Sequence, residues 1–518
     1  MFLSLKALVV VWVIAAVVFR VAKPIALSFI DPNDLLLRRK IWFALTATAF
    51  LAPSFWVFAM VAIPLTMWAG RRDSNPCALY LMLFQVIPPI EIPVPMIGMP
   101  YLFEINIFLL LSFCILVPLA LQTYRSRREH KEYALGFADF CLLAFGLLTA
   151  VLYVRAPRPE GGLWPFSITS SVRGAFVFFF DAFIPYFVVS RVSADRRKLI
   201  DMFATYCLCC ALLAAISVFE TVRQWLLYQG LAAQLGAPLA GAIYLMRGGS
   251  LRAMASTGHA MALAHLLVLA YGLWLYLQGK LDSRPWRIGG VIVFWCGLLA
   301  AFTRGALIGA IVVYFLFTAL QPRPVSKLFK ATGAALMVGM LIYISPLGDK
   351  IVSVMPWFGS KEHVADFSYR ERLWDRTWEI VKESPFLGDQ EAILKMQDLR
   401  QGEGIIDIVN TYAGILLNNG FVGLSLFLAF ILTALFRAWA GKRRAMSSDQ
   451  DLCLMGAGLV ACLIATLIML WDGSFIRGPA RMFYVFAGFA TGYSVLVSSL
   501  RRDEPTVEMG ARTVGASR

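Results

Sequence analysis

Long apolar segments recur through the 518-residue chain, and they restrict its fold more than any other feature of the sequence. Most are roughly 17 to 25 residues long, the length that crosses the hydrocarbon core of a bilayer as an α-helix. Hydrophobic residues make up 59% of the sequence, and the 15% that are charged gather in short clusters between the apolar segments. The sequence therefore predicts an all-α, polytopic integral membrane protein with about 12 to 14 transmembrane helices.

The apolar segments divide the chain into five regions. The predicted spans cover residues 5–29, 41–69, 77–92, 103–121, 133–153, 174–191, 199–222, 258–277, 287–302, 305–320, 331–346, 411–436, 453–471 and 482–500. Span 77–92 is the weakest, because four prolines crowd its end. We expect N-terminal transmembrane helices in 1–222, a central membrane region in 223–346, a long external loop in 347–410, C-terminal transmembrane helices in 411–500 and a disordered polar tail in 501–518.

The formal net charge of +15 comes mostly from basic loops at the ends of spans. Such loops are the orientation signal of membrane insertion, so the charge is interpreted as topology, and no nucleic acid partner is predicted. The clusters at 125–131, 191–198, 280–287, 323–330, 437–444 and 501–502 then face the cytoplasm. Arg38, Arg39 and Lys40 fall on the opposite side when the spans are counted in order. Segments 223–257 and 347–410 also lie on that opposite, external side.

Arg304 is the first candidate for a functional side chain. It lies in FTRGALIGAIV (Phe302 to Val312), a tight connection between two apolar runs, with Gly305 beside it. Arginine inside a bilayer is costly unless it faces a cavity or a partner. A guanidinium at this position can bind a diphosphate bidentately. A snorkelling or helix-pairing arginine is an equally weighted alternative.

Arginines also recur on the predicted external segments. Arg247 and Arg252 precede the span that begins near Gly258, Arg370, Arg372 and Arg376 lie on an amphipathic helix predicted over 368–388, and Arg477 and Arg481 lie near Asp472. Each group alone is typical of a solvated face or a lipid headgroup contact. Together they favour an anionic, lipid-anchored ligand such as a polyprenyl diphosphate. The sequence contains no recognisable metal or nucleotide motif, so no cofactor is predicted and arginines are expected to stabilise the leaving group.

Three segments carry a family resemblance: FTRGALIGAIV, the helix from RERLW to SPFLG, and DIVNTYAGILLNNGFVGLSLF (Asp407 to Phe427). They resemble the O-antigen ligase and polysaccharide polymerase superfamily over roughly Arg247 to Phe430. The resemblance implies a GT-C-like membrane glycosyltransferase, inverting and metal-independent, in the bacterial inner (cytoplasmic) membrane. It implies that the enzyme takes a glycan from undecaprenyl diphosphate on the periplasmic side, in the bilayer, with a flippase and a chain-length regulator as candidate partners.

The resemblance also assigns residues. Arg304 matches the arginine of the family's SRG-like motif and Arg252 approximates an upstream arginine, so both are assigned diphosphate binding. The recurrence of arginine on the external segments, rather than the resemblance, makes further substrate-contact candidates of Arg247, Arg370, Arg372, Arg376 and Arg481. The ligase branch carries His, then Asn, Ser or Gln, nine residues, Gly, two residues and Gly. Asn410, Gly420 and Gly423 match the last three landmarks, and Asn410 is taken as a substrate contact, but Val409 stands at the histidine position.

The valine favours a polymerase, because it cannot act as the base that the ligase histidine is thought to be. The candidate bases are Asp407, Glu403 and His363, with Asp407 taken as the catalytic candidate and a solvated carboxylate as the alternative. Tyr412 is a candidate for holding an acceptor sugar, with interfacial anchoring as the stronger alternative. An O-antigen ligase acting on lipid A core and a lipid-linked glycan flippase or transporter remain open as other functions.

Overall fold

The computed structural model describes residues 2–97, 101–126, 135–155, 168–236, 246–247, 250–322, 324–326, 328–329, 332–333, 361–400, 406–446, 449–473 and 479–514. The helices in these ranges are α1 (Phe2–Ala26), α2 (Pro32–Leu51), α3 (Phe55–Arg72), α4 (Pro76–Leu83), α5 (Ile107–Leu111), α6 (Val117–Ser126), α7 (Phe137–Arg155), α8 (Ile168–Phe178), α9 (Ile184–Val192), α10 (Arg196–Arg223), α11 (Gln229–Gln234), α12 (Ala260–Leu277), α13 (Arg284–Ala300), α14 (Arg304–Ala319), α15 (Lys361–Glu383), α16 (Thr411–Ala445), α17 (Gln450–Asp472) and α18 (Pro479–Val514).

Shorter elements join these helices. π-Helical segments at Ser112–Leu116 and Phe179–Phe183 connect α5 to α6 and α8 to α9, and 3-10 turns cover Ala255–Thr257, Gln278–Lys280 and Ala392–Leu399. Strand β1 (Ile92–Pro93) pairs antiparallel with β2 (Glu104–Ile105), and β3 (Met246–Arg247) pairs with β4 (Ser250–Leu251). Helices therefore carry almost all of the regular structure in the described residues.

Hydropathy confirms the predicted class of fold. Among the described residues, seven helical segments are long and apolar enough to cross a membrane: Ser4–Ala26, Ser171–Val192, Arg196–Arg223, Ala260–Lys280, Thr411–Ala445, Gln450–Asp472 and Arg481–Leu500. Shorter apolar helices cover Ile107–Thr123, Phe137–Tyr153 and Arg304–Ala319. The protein is thus an all-α polytopic membrane protein. The predicted span 331–346 lies largely outside the described residues.

Ion pairs and helix starts distinguish the two ends of the bundle. At one end, called the basic end, Arg196 at the start of α10 pairs with Asp449 at 2.8 Å and Asp451 at 2.6 Å, and Lys280 pairs with Asp451 at 2.8 Å. The clusters at 191–198 and 280–287 therefore share one end of the bundle, in agreement with the predicted grouping. The opposite end, called the site end, contains the first turns of α12, α14 and α16.

The prediction for Arg38 is wrong. Its buried guanidinium pairs with Asp73 at 2.7 Å and with Asp201, in the second turn of α10, at 2.6 Å, which places it at the basic end. The error comes from span 41–69, which is two helices. The chain turns at 52–54, where Ala52 ends α2 and Ser54 caps α3 through its side chain. Counting this additional crossing moves the residues before it to the other side of the membrane.

Three further boundaries differ from the prediction. Only α4, at Pro76–Leu83, is helical within 77–92, because the prolines that follow end the helix and lead into β1. The amphipathic helix predicted over 368–388 begins earlier, at Lys361, and ends at Glu383 just before Pro385. The tail expected to be disordered continues α18 as helix as far as Val514.

Candidate functional site

The end of α17 touches the first turns of three other helices. A Cβ on Gly305, the second residue of α14, would collide with the Asp472 carboxylate. A Cβ on Gly473 would lie 2.6 Å from Sδ of Met261 in the first turn of α12. The carbonyl of Gly473 accepts hydrogen bonds from the Thr411 N–H at 3.2 Å and hydroxyl at 2.8 Å. The amino ends of α12, α14 and α16 therefore surround residues 472–473.

Three helix amino ends at one place create a positive potential. Each helix leaves its first backbone N–H groups without helical partners and carries a partial positive charge there. α12 and α14 have 18 and 16 residues, and α16 runs from Thr411 to a kink at Gly420, so each has at least about two helical turns behind its amino end. The arrangement favours an anionic ligand at the site end, since phosphate groups commonly bind at such helix ends.

Arg252 and Arg304 lie side by side in the fold. The Arg252 guanidinium donates to the Ala301 carbonyl at 3.4 Å and to the Thr303 hydroxyl at 3.3 Å, and Thr303 is the residue before Arg304. Arg304 opens α14 and is partly exposed, whereas Arg252 is 9% exposed. The two arginines therefore lie at neighbouring positions in the fold.

The backbone around Arg252 is unusually constrained. Among the described residues, Gln224, Ala255 and Phe302 are the non-glycine residues with positive φ. Gln224 accepts from the Leu251 N–H through its side chain at 3.0 Å, while Ala255 and Phe302 flank the loop and the turn that Arg252 joins. Residues in this conformation cost about 1 to 3 kcal/mol each and cluster at functional sites. The strained backbone indicates that this loop is held in a fixed conformation at a cost in local stability.

Glu220 hydrogen-bonds to the backbone of the loop that follows Arg252. Its fully buried carboxylate accepts from the N–H groups of Leu227 at 3.0 Å, Met254 at 3.0 Å and Ala255 at 2.8 Å. Three backbone donors compensate for burying the carboxylate. The sequence did not indicate a role for Glu220. A single acidic residue near the end of a span looks ordinary, and the three N–H groups that it binds come close only after folding.

Arg370 brings α15 to the site. It forms an ion pair with the Asp472 carboxylate and donates to the Asp472 carbonyl at 3.2 Å. The turn after α15 also hydrogen-bonds to a kink in α16: Asp389 N–H donates to the Leu417 carbonyl at 2.7 Å, and Phe421 N–H to the Pro385 carbonyl at 2.8 Å. α15 is therefore docked across the site end, and Asp472 compensates the charge of Arg370.

Asp407 lies next to this ion pair. Its backbone is fixed by Tyr369, whose hydroxyl donates to the Asp407 carbonyl at 2.9 Å and accepts from the Asp407 N–H at 3.1 Å. Burial raises the pKa of the Asp407 carboxyl above its usual value, and the positive charge of Arg370 opposes that rise. Asp407 therefore takes up a proton at a higher pH than an exposed aspartate.

Val409 and Asn410 have local structural partners. Val409 packs against a small apolar cluster that includes Tyr369 and Leu373 of α15. The Asn410 side chain caps α16, accepting from the N–H groups of Tyr412 at 2.9 Å and Ala413 at 3.1 Å. The position of the ligase histidine is thus a packing position in this protein, and Asn410 orients the amino end of α16.

An aromatic group flanks the ion pair of Arg370 and Asp472. The rings of Trp374 and Trp471 stack with centroids 5.0 Å apart, and Tyr412 lies 6.2 Å from Trp471. Trp471 is 55% exposed, while the Tyr412 hydroxyl donates to the Leu467 carbonyl at 2.8 Å. Sequence analysis named Tyr412 alone, because the two tryptophans are 97 positions apart (471 − 374 = 97) and only folding brings them together.

His259 is a neutral side chain at physiological pH. It caps α12, accepting from the Met261 N–H through Nδ1 at 3.2 Å. Burial, with a smaller contribution from the Arg252 charge, lowers the pKa of His259 to about 4. Because Nδ1 accepts, the single proton of the neutral ring lies on Nε2, which makes His259 a hydrogen-bond donor beside Arg252.

The remaining predicted residues either contact groups away from Arg252 and Arg304 or lie outside the described residues. Arg376 pairs with Glu379 at 2.6 Å and donates to the Lys395 carbonyl, and exposed Arg372 donates to Ser368 of its own helix. Arg481 is buried, pairs with Asp181 and stacks over Phe108 at 4.0 Å. Glu403, Arg477 and the side chains of Arg247 and His363 lie outside the described residues. The structure therefore gathers Arg252, Arg304, Arg370, Asp407, Asn410 and Tyr412 at the site end.

The fold is that of a polytopic membrane protein, and several arginines gather at one end of its helical bundle. Residues 289–428 match the family model Wzy_C, described as O-antigen ligase, so this part of the chain is similar to the O-antigen ligase superfamily. The match confirms the resemblance predicted from the sequence and includes Arg304, Arg370, Asp407 and Tyr412. No curated protein matches the chain.

Proposed function

We propose that this protein is a polysaccharide polymerase that joins oligosaccharide repeat units carried on undecaprenyl diphosphate, at the periplasmic face of the bacterial inner membrane. The observation that supports it most is the meeting of Arg252 and Arg304 with the amino ends of α12, α14 and α16. A diphosphate is the anionic group of such a carrier, and these groups match its charge.

The proposed reaction follows from the chemistry of a diphosphate leaving group. A hydroxyl of the acceptor glycan attacks the anomeric carbon of the donor glycan from the side opposite the diphosphate, forming a new C–O bond. The bond from that carbon to the diphosphate oxygen breaks, and the oxygen keeps the electron pair. Arg304 and Arg252 stabilise the charge that develops on the diphosphate, while the hydroxyl proton passes to Asp407.

The aromatic group of Trp374, Trp471 and Tyr412 is the proposed surface for the glycan. It lies beside Asp472, and therefore beside the first turn of α14, where the donor diphosphate is placed. Exposed aromatic rings with a polar edge next to a charged site suit a ligand that is partly apolar on its ring faces and polar at its edges. Arg370, paired with Asp472, would then orient the glycan rather than bind the diphosphate.

A ligase is the second candidate, because the matching family model is described as O-antigen ligase. Purified protein in proteoliposomes, given a carrier with one repeat unit and separately supplied lipid A core, distinguishes the two. A polymerase produces a ladder of longer carrier-linked glycans, whereas a ligase transfers one unit to lipid A core and makes no ladder. The polymerase proposal fails if only the lipid A product forms.

The proposed role of Asp407 predicts a specific pH dependence. The carboxylate is the active form of a base, so the transfer rate falls when pH drops below the pKa of Asp407. Because burial raises that pKa, this loss occurs at higher pH than for an exposed aspartate. In Asp407→Asn, we expect the rate to fall about hundredfold and the remaining activity to lose this acidic limb.

The pH profile of kcat/KM tests the prediction, with Asp398→Asn as the matched control. Asp398 is an exposed acid on the same external segment that interacts with Arg376. Its substitution should leave both the rate and the acidic limb unchanged. An acidic limb that persists in Asp407→Asn would remove Asp407 from the role of base.

A further inference from the structure

A polar cavity lies at the basic end, at the opposite end of the bundle from Arg304. Its volume is about 430 Å³, and it is formed where α7, α9, α16 and α18 meet. Arg191, Arg437 and Arg444 line it together with hydroxyl side chains that include Ser190, Thr491, Ser494 and Ser498, and its described lining contains one acidic residue, Asp139. The cavity therefore combines an excess of positive charge with several hydroxyl groups.

The single acid of this cavity is already fully engaged. Asp139 accepts from the Arg191 guanidinium at 2.7 Å through one carboxylate oxygen and from the Gly136 N–H at 2.7 Å through the other. Arg191 is buried and also donates to the Ser190 hydroxyl at 2.7 Å. This pair is neutral overall, so the positive charge available to a ligand comes mainly from Arg437 of α16. Arg444 of the same helix donates to the Ser498 hydroxyl at 3.2 Å.

Arg437 is the residue that points to a ligand. Its guanidinium packs against the Gly136 backbone, with NH2 3.0 Å from where a Cβ on Gly136 would lie. Within the described ranges, Arg437 forms no hydrogen bond or ion pair, although it is partly buried. Asp139 Oδ2 lies 3.4 Å from the same Cβ position, so one carboxylate faces both Arg191 and Arg437. An anion bound in the cavity would balance the second positive charge.

Exposed aromatic side chains flank the mouth of the cavity. Phe436 lines it and is 63% exposed on the outer surface of the bundle. One turn further on, Trp439 is 37% exposed and stacks with the Arg443 guanidinium at 4.4 Å, as is typical of a side-chain pair at the membrane interface. A headgroup in the cavity would therefore leave its acyl chains beside Phe436.

We propose that this cavity binds the phosphate of an anionic phospholipid such as phosphatidylglycerol, at the end of the bundle opposite the proposed catalytic site. The lipid phosphate would contact Arg437 and Arg444, and the headgroup hydroxyls would meet Ser494 and Ser498. The lipid would join α7, α9, α16 and α18, and α16 also carries Asn410 and Tyr412 at its other end.

Native mass spectrometry of the full-length protein, titrated with phosphatidylglycerol or phosphatidylcholine, tests this site. We expect Arg437→Gln to weaken phosphatidylglycerol binding by about fivefold. Arg443→Gln removes the same charge two turns along α16 but outside the cavity, so it should weaken binding less than about twofold. Ser494→Leu keeps every charge and fills part of the cavity, so it should also weaken binding.

Any of the following results would contradict the proposal. Equal losses in Arg437→Gln and Arg443→Gln would mean that binding follows surface charge alone. Full binding in Ser494→Leu would place the lipid outside the cavity. Equal binding of the two lipids, or displacement of the lipid by an equal concentration of inorganic phosphate, would mean that the cavity does not recognise an anionic lipid.

Discussion

Replacing Arg304 with alanine is expected to lower the rate of glycan transfer by about hundredfold or more, while the protein remains folded in the membrane. Arg304 opens α14 next to the turn that Arg252 contacts, and it is partly exposed, so its removal leaves no large internal void. The loss should appear mainly in kcat, because the charge on the diphosphate oxygen increases as its bond to the sugar breaks.

Two further variants make this prediction specific. Arg304→Lys keeps the charge but loses the planar two-pronged donor, so it should recover only part of the activity. Arg400→Ala removes an exposed arginine of the external segment that interacts with Gln397, and it should leave the rate unchanged. Single-turnover transfer in proteoliposomes measures all three. Normal transfer by Arg304→Ala would exclude this arginine from the diphosphate site.

Replacing Gly420 with alanine is expected to destabilise the protein by about 2 to 4 kcal/mol and to abolish transfer in the membrane. Gly420 has φ of +62° at the kink of α16, a conformation that side chains disfavour. A Cβ there would also collide with the backbone of Phe386 and lie 2.6 Å from the Gly388 nitrogen. The backbone atoms of Phe386 and Gly388 cannot avoid the Cβ by a change of side-chain rotamer. The turn that contains them, and α15 with it, would have to move.

Gly414 provides the matched control, because it lies in the same helix and a Cβ on it would make only an ordinary contact of 3.7 Å with Ile408. Gly414→Ala should therefore be neutral or slightly stabilising in the free energy of unfolding, measured by titration with sodium dodecyl sulfate in mixed micelles. Gly388→Ala, on the other side of the contact, should reproduce the effect of Gly420→Ala. A fully stable Gly420→Ala protein would mean that this close contact is unimportant.

The sequence predicts the spans well where apolar length alone defines a helix, as in α10, α12 and α17. It fails where a turn is hidden inside apolar sequence. Residues 41–69 appear continuous because the turn at 52–54 contains only one proline and one serine between apolar residues. That single missed turn also reverses the predicted side of Arg38, which shows how strongly topology depends on each boundary.

The site is partly predictable for a related reason. Arg252 and Arg304 stand out in the sequence because placing an arginine beside apolar segments costs free energy. Such a residue therefore indicates a partner or a function. Asp472, Glu220 and Trp471 do not stand out, because their importance depends on partners far away in the chain: Arg370, the loop at 254–255 and Trp374. Gly420 was recognised only as a motif landmark, and its backbone contact with Phe386 supplies the physical reason.

The ion pairs of Arg38 have a consequence for biogenesis. Asp73 follows Arg38 by 35 residues, so it is synthesised roughly 2 to 7 s later and the two can form an early helical hairpin. Asp201 is 163 residues away, and translation at about 5 to 20 residues per second delays it by roughly 8 to 33 s. During that interval the nascent hairpin has to stay at the translocon or in the lipid with one half of its ion network missing. We therefore expect the ion network of the first helices to be completed only after α10 has been synthesised.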